Sequence, residues 1–264
     1  MDESESYFKK YRHIKMRRRA GILEMTLHSD GGPLQWGHHP KIELWHAFDD
    51  IASDRGNRIV ILTGTGNEFM GPRDTGGIGT YTSIQQEVTP VVVDTAHWYM
   101  RRMMMRLMDI EVPMIGVVNG PALRHSELPL MCDIVIAADD ATFEDTAHFL
   151  IGSMVPGDGV TTVYSLLLGL NRARYMTLTG QVLSAKEAKD LGLVGEVMPR
   201  EKLLPRAWEL AEALAKKPDL ALRYTRMVLT RPLKKALEED LPYFMSLETM
   251  AGMEKSGATE KVRQ

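Results

Sequence analysis

A layered α/β fold, with a mostly parallel sheet covered by helices and a helical C-terminal segment, is predicted by three features of the sequence. Short apolar runs occupy 22–28, 58–63, 113–119 and 133–137, and the first three are closed by glycine or proline, as buried strands are. Segments with apolar residues at helical spacing separate several of these runs, which is the pattern of strand–helix–strand crossovers. After Gly169 the pattern is almost wholly helical.

The elements follow in order. Ile22, Leu23, Met25 and Leu27 make a largely buried strand, stopped by Gly31, Gly32 and Pro33. The basic run Lys15 to Arg19 before it reads as an edge strand with solvated side chains, since no aromatic or glycine-rich platform for phosphate accompanies it. From about Pro40, residues Ile42, Leu44, Trp45, Phe48 and Ile51 line one face of a helix. Arg58 to Thr63 reads as a strand buried on both faces. Asn67 to Pro90 is loop-like, with glycines at 71, 76, 77 and 79. A long helix from about Val91 to Ile110 carries a methionine-rich stripe (Met100, Met103, Met104, Met105, Leu107, Met108) that reads as core or subunit contact. Strands at Pro113 to Asn119 and Asp133 to Ala137 flank a short helical turn. Helices are expected at 171–179, 184–191, 200–216, 219–229 and 232–254, with a break at Pro232. Ser184 and Glu187 have capping-box spacing. This divides the chain into an α/β core over 1–199 and a helical segment over 200–264, whose last residues, Gly257 to Gln264, are polar and expected to fray.

Composition narrows the function. With 264 residues, 44% hydrophobic and 25% charged, the chain can bury roughly 70–75% of its unfolded surface without disulfides or metals. The single cysteine, Cys132, lies in an apolar stretch and reads as buried packing, which suits a reducing cytoplasm. A net charge of −3 gives no general pull toward nucleic acid. No apolar run approaches a membrane span, and Met1 to Tyr7 is acidic and polar with no apolar stretch after it, so a cytoplasmic protein is expected.

Several segments, in order, resemble the crotonase (enoyl-CoA hydratase/isomerase) superfamily. They are RIVILTGTGNEFMG at 58–71, PMIGVVNGPAL at 113–123, SELPLMCDIVIAADDATF at 126–143 and LTGQVLSAKEAKDLGLVGEV at 178–197. The resemblance implies a spiral of ββα units, assembly as a homotrimer or a dimer of trimers, and C-terminal helices that help close the site. Thioester-binding members have a glycine-rich turn after the Ala-Leu pair, where backbone N–H groups stabilise an enolate oxygen. This chain instead has Arg124, His125 and Ser126 after Ala122 and Leu123. An arginine and a histidine do not admit the close approach that glycine does, so a missing or remodelled backbone hole is expected.

That departure, with FEDTAHF at 143–149 and VPGDG at 155–159, resembles the β-diketone hydrolases related to 6-oxocamphor hydrolase. Such enzymes hydrolyse a carbon–carbon bond between two carbonyls in a retro-Claisen reaction. The reaction needs a base for water, a donor for the oxyanion and an enolate as leaving group, so no metal or organic cofactor is expected. The resemblance implies a catalytic pair, His148 and Asp158. The carboxylate would fix the tautomer at one imidazole nitrogen and leave the other open to water. Read without the resemblance, the two are a loop histidine and a turn aspartate. His125 becomes the replacement donor to the oxyanion, and Glu248 an acid near the site that orients a histidine or relays a proton; a packing histidine and a solvated acid are the plainer readings. Trp36 is expected as an apolar wall. Met70, in the segment that resembles the first oxyanion loop, is expected beside the substrate, as is either His39 or Lys41. A metal on the adjacent His38 and His39 is not expected, because acidic or cysteine ligands at useful spacing are missing.

Three activities stay open at this point. A β-diketone hydrolase consumes cyclic 1,3-diketones without added cofactor. A CoA-thioester hydratase, isomerase or hydrolase binds CoA, and a noncatalytic oligomeric scaffold does neither.

Overall fold

The computed structural model describes residues 3–72 and 89–255. The glycines at 76, 77 and 79 and the C-terminal residues from 256 onward lie outside the described residues. A 3-10 turn, Glu3–Lys9, precedes a six-stranded sheet. In chain order its strands are β1 (Ile14–Arg19), β2 (Ile22–Leu27), β4 (Ile59–Thr63), β6 (Met114–Val118), β7 (Ile134–Ala138) and β10 (Glu196–Met198). They lie side by side in that same order. β1 pairs antiparallel with β2, and every later pairing is parallel. β4 and β6 are buried at every residue, as strands covered on both faces must be. β1 is the edge strand expected from the basic run: its side chains alternate in exposure, and Arg17 and Arg18 pair with Glu24 and Asp54.

Helix α1 (His38–Ser53) packs on α2 (Pro90–Asp109), whose Met100, Met103, Met104 and Met108 are core residues. α3 (Glu127–Leu130), α4 (Val160–Leu168), α5 (Leu170–Thr179) and α6 (Ala185–Asp190) follow. Ser184 and Glu187 form the reciprocal capping box that starts α6. α7 (Arg200–Leu214) lies against β4, β6 and β7, so its Leu203, Ala207 and Ala211 belong to the same core as the strands.

Two expectations change. The helices foreseen on either side of Pro232 are one, α8 (Asp219–Lys255), which runs through both Pro232 and Pro242. The residues four positions before these prolines, Val228 and Glu238, are exposed, so the carbonyls that lose a partner are on the solvent side of the helix. The stretch 155–169, given no element from the sequence, contains α4.

Two short parallel strands, β3 (Leu34–Gln35) and β5 (Met70–Gly71), form a second small sheet. Bridges continue it from Met70 to Ala122 and from Ala122 to Phe143 in β8 (Thr142–Phe143), which pairs with β9 (Leu183–Ser184). This layer brings Trp36, Met70 and the 122–126 turn together: Trp36 N–H donates to Gly71 O at 2.8 Å, and Leu123 N–H to Met70 O at 2.9 Å.

Candidate active site

The turn after Ala122 is shaped by the residue that departs from glycine. His125 has φ 46°, a left-handed backbone conformation that costs a side-chain-bearing residue on the order of 1–2 kcal/mol. The chain therefore keeps a path that favours glycine while carrying an imidazole. Ser126 anchors the turn, its Oγ donating to Glu144 O at 2.7 Å and lying 2.7 Å from Tyr164 Oη on α4. The His125 ring packs against Trp36 at a tilt of 47°, centroids 3.9 Å apart, and its Nδ1 lies 2.7 Å from Glu127 Oε1 and 3.7 Å from Asp158 Oδ2.

His148 sits on a π-helical turn, Ala147–Gly152, closed by Ile151 N–H donating to Thr146 O. A turn of this width is a local irregularity common at functional sites. It points His148 inward, leaving Phe149, Leu150 and Ile151 exposed. His148 Nδ1 lies 2.5 Å from Asp145 Oδ1, and Nε2 lies 3.2 Å from Asp158 Oδ2. Asp145 stands three residues earlier, just before this turn, and reaches Nδ1, so Asp158 is left to Nε2. The expected open imidazole nitrogen is thus not present in this arrangement. Asp145 is the site residue the sequence reading missed; its signal was the acid three positions before the histidine.

The sites of Asp158 and Glu248 are joined by close packing. A Cβ on Gly157 would stand 2.4 Å from Phe244 O and 3.1 Å from Glu248 Cβ, so only glycine lets the 155–159 loop reach α8 this closely. Asp158, Glu248, Lys41, His97, Thr249 and Met245 line an inner cavity of about 20 Å³, which is room for one water. His97 Nε2 and Thr249 Oγ1, 2.6 Å apart, tie α2 to α8 at its wall. His97 and Met245 also line a groove of about 740 Å³ between α2 and α8, a volume suited to a small organic ligand. The groove is larger, but Asp158, Glu248 and Lys41 line the inner cavity alone, and through Asp158 it adjoins His148 and His125.

Electrostatics within the cluster oppose burial. Burial lowers an imidazole's pKa, yet the charges of Asp145 and Asp158 outweigh it and hold His148 well above its ordinary value. Burial would raise Asp158, but His148, His125 and Lys41 hold it below the usual carboxylate range. Burial, with the charge of Asp158, pushes Glu248 up to about 7 against the pull of His148 and Lys41. Burial raises Glu127 as well, and His125 offsets part of that. Lys41 is lowered by burial, with Asp158 and Glu248 acting the other way. Asp158 Oδ1, Glu127 Oε2 and Asp145 Oδ2 are buried without a hydrogen-bond partner among the described residues. His125, Glu127 and Asp158 each offer a donor atom within 4.8 Å of the others, so these three are where a cation would fit.

The other expected residues divide. Trp36 is half-buried beside His125 and Lys41, whose Nζ lies 6.0 Å from the Trp36 ring centre. Met70 is fully buried in β5. Of the two candidates on α1, Lys41 is buried in the cavity wall and His39 is exposed, facing His38. Two residues turn a helix by about 200°, so positions 39 and 41 cannot share a face.

The family model for enoyl-CoA hydratase/isomerase matches residues 18–257. The chain belongs to this family, the crotonases. Among its crotonase relatives is the 2,3-dehydroadipyl-CoA hydratase of Escherichia coli, 27% identical over 88% of this chain and 88% of the relative. A solved β-diketone hydrolase from the cyanobacterium Anabaena, bound to (S)-3-oxocyclohexyl acetic acid, superposes with a TM-score of 0.89. It is 41% identical and covers 95% of this chain and 98% of its own. An enoyl-CoA hydratase from Bacillus halodurans shares the crotonase fold, with a TM-score of 0.79, 17% identity and coverage of 90% and 94%. Among the described residues no helix is long and apolar enough to cross a membrane.

Proposed function

We propose that this crotonase is a β-diketone hydrolase that cleaves a cyclic or bicyclic 1,3-diketone to a keto acid by a retro-Claisen reaction. The observation that carries the reading is the hydrogen-bonded series Asp145–His148–Asp158 against a water-sized cavity that Glu248 shares. Likeness to the Anabaena hydrolase at 41% identity supports it.

A water in the cavity donates a hydrogen bond to Asp158 Oδ1. Its proton passes to Glu248, whose carboxyl titrates near neutral pH, where a general base is most effective. The oxygen adds to one carbonyl carbon, and His125 donates to the resulting oxyanion, while His148, held between Asp145 and Asp158, keeps Asp158 in place beside the water. The carbon–carbon bond then breaks, its electron pair passing to the α-carbon and delocalising onto the second carbonyl. Glu248 returns the proton to that carbon, and the attacked carbonyl carbon becomes the carboxylic acid of the same, ring-opened molecule. The second carbonyl is the electron sink, so the scheme calls on no cofactor.

The enzyme works, in this reading, as a homotrimer or a dimer of trimers. Phe149, Leu150, Leu166, Leu167 and Leu170 are exposed on the single chain, and a patch of this kind favours association.

The test is incubation of the purified protein with mono- and bicyclic 1,3-diketones in ¹⁸O-labelled water, with products identified by mass spectrometry. The expected result is a keto acid carrying one ¹⁸O in its carboxylate. No consumption across the panel overturns the reading. The relatives that are CoA-thioester hydratases give the second reading, enoyl-CoA hydration; retention on CoA resin together with hydration of crotonyl-CoA supports that one instead.

A further inference from the structure

We propose that Lys41 is an anion subsite of this cavity, holding the negatively charged oxygen that diketone hydrolysis generates: the enolate oxygen first, then the carboxylate of the keto acid. This rests on the β-diketone reading and names the part of the ligand that α1 recognises.

Lysine is rarely buried, because its ammonium loses more in desolvation than its stem gains in packing. Here only 6% of Lys41 is exposed, and it lines the same small cavity as Asp158 and Glu248. Those two acids and Arg124 are the charged groups that face it. An ammonium carries three donors on one compact head, so it can serve a carboxylate of the protein and still donate to a ligand oxygen. Its Nζ lies 6.0 Å from the Trp36 ring centre, and the same ring packs against His125. The apolar wall of the site therefore has a cation beside one part of it and an imidazole beside another. The cavity has room for one oxygen-sized group and none for a ring, so the body of a diketone lies outside it and only the oxygen that gains charge reaches the ammonium, which then acts on the charged state more than on the neutral substrate. Glu248 titrating near 7 fits this placement, since a carboxyl that is partly protonated leaves more of the Lys41 charge for the ligand.

The experiment measures binding by calorimetry for wild type, Lys41→Met and Lys41→Arg. The probes are 3-oxocyclohexyl acetic acid, which carries the carboxylate, and 3-methylcyclohexanone, which does not. Lys41→Met is expected to weaken the acid on the order of tenfold to a hundredfold, the size of a lost charge-assisted hydrogen bond. The neutral ketone should change by less than about threefold, and Lys41→Arg should recover most of the acid's affinity. If Lys41→Met does not fold, as judged by thermal melting, Lys41→Gln against Lys41→Arg makes the same comparison. Equal binding of the acid by wild type and the neutral variant overturns the subsite, and so does equal loss of both probes. A wild type that cleaves diketones while either of these holds leaves the hydrolase reading standing; one that neither cleaves diketones nor binds the acid overturns both.

Discussion

The Nδ1 atom of His148 lies 2.5 Å from Oδ1 of Asp145, closer than its Nε2 lies to Asp158. Asp145 is then the positioning residue, and Asp158 stands on the cavity side of the ring. Asp145→Asn keeps the shape but removes one of the two charges that hold His148 protonated. Turnover is expected to fall on the order of 10²-fold with little change in KM. A raised imidazole pKa adds stability that is complete below the unfolded value near 6.5 and is lost as pH rises through the folded value. The variant should therefore lose more stability at pH 6 than at high pH. Nitrogen-15 NMR of the histidines checks the cause: the His148 titration should move to lower pH, and an unmoved titration would contradict the assignment.

Glu248 binds its proton more tightly in the fold, near 7 against an ordinary 4.5. Its contribution to stability is complete below the unfolded pKa, declines between these values, and is lost once pH passes about 7. Glu248→Gln should accordingly be more stable than wild type above pH 7, by about 2 kcal/mol after discounting for partial exposure, and should differ little near pH 4. Melting curves across pH read this directly. Wild-type turnover should rise with pH through about 7, and the glutamine variant should lose that step together with about 10²-fold in rate.

The left-handed backbone at His125 separates a structural cost from a chemical role. His125→Gly and His125→Ala both remove the imidazole and should both lose diketone cleavage. Only glycine relieves the backbone, so it should be more stable than the alanine variant by about 1 kcal/mol in denaturant unfolding. Equal stability would show that the turn moves once the ring is gone.

Leu150 is 56% exposed on the π-helical turn, among the apolar residues proposed above to meet a second subunit. Leu150→Asp should shift the sedimentation profile from trimers or hexamers toward monomer. An unchanged profile would place the contact elsewhere.

Much of the sheet and its helices was legible because each strand is a short apolar run and each helix has its own repeat. The capping box at Ser184 and the edge strand at Lys15 to Arg19 come from local chemistry alone. The two-residue strands β3 and β5 were not legible, since pairs of residues carry no period. Nor was the unbroken α8, because whether proline ends a helix depends on where the released carbonyl faces, which tertiary packing decides. In the site, His125, His148, Asp158 and Glu248 were named beforehand from resemblance, and they lie in or beside one buried cluster. Asp145 was overlooked because an acid three residues before a histidine counts only once the turn is known. The choice between His39 and Lys41 needed the helix phase.

The shape of the 122–126 turn bears on how such a scaffold presents a side chain. Because the main chain at His125 follows a course that glycine also takes, an imidazole is presented to the site there without any change in the direction of the chain at that residue.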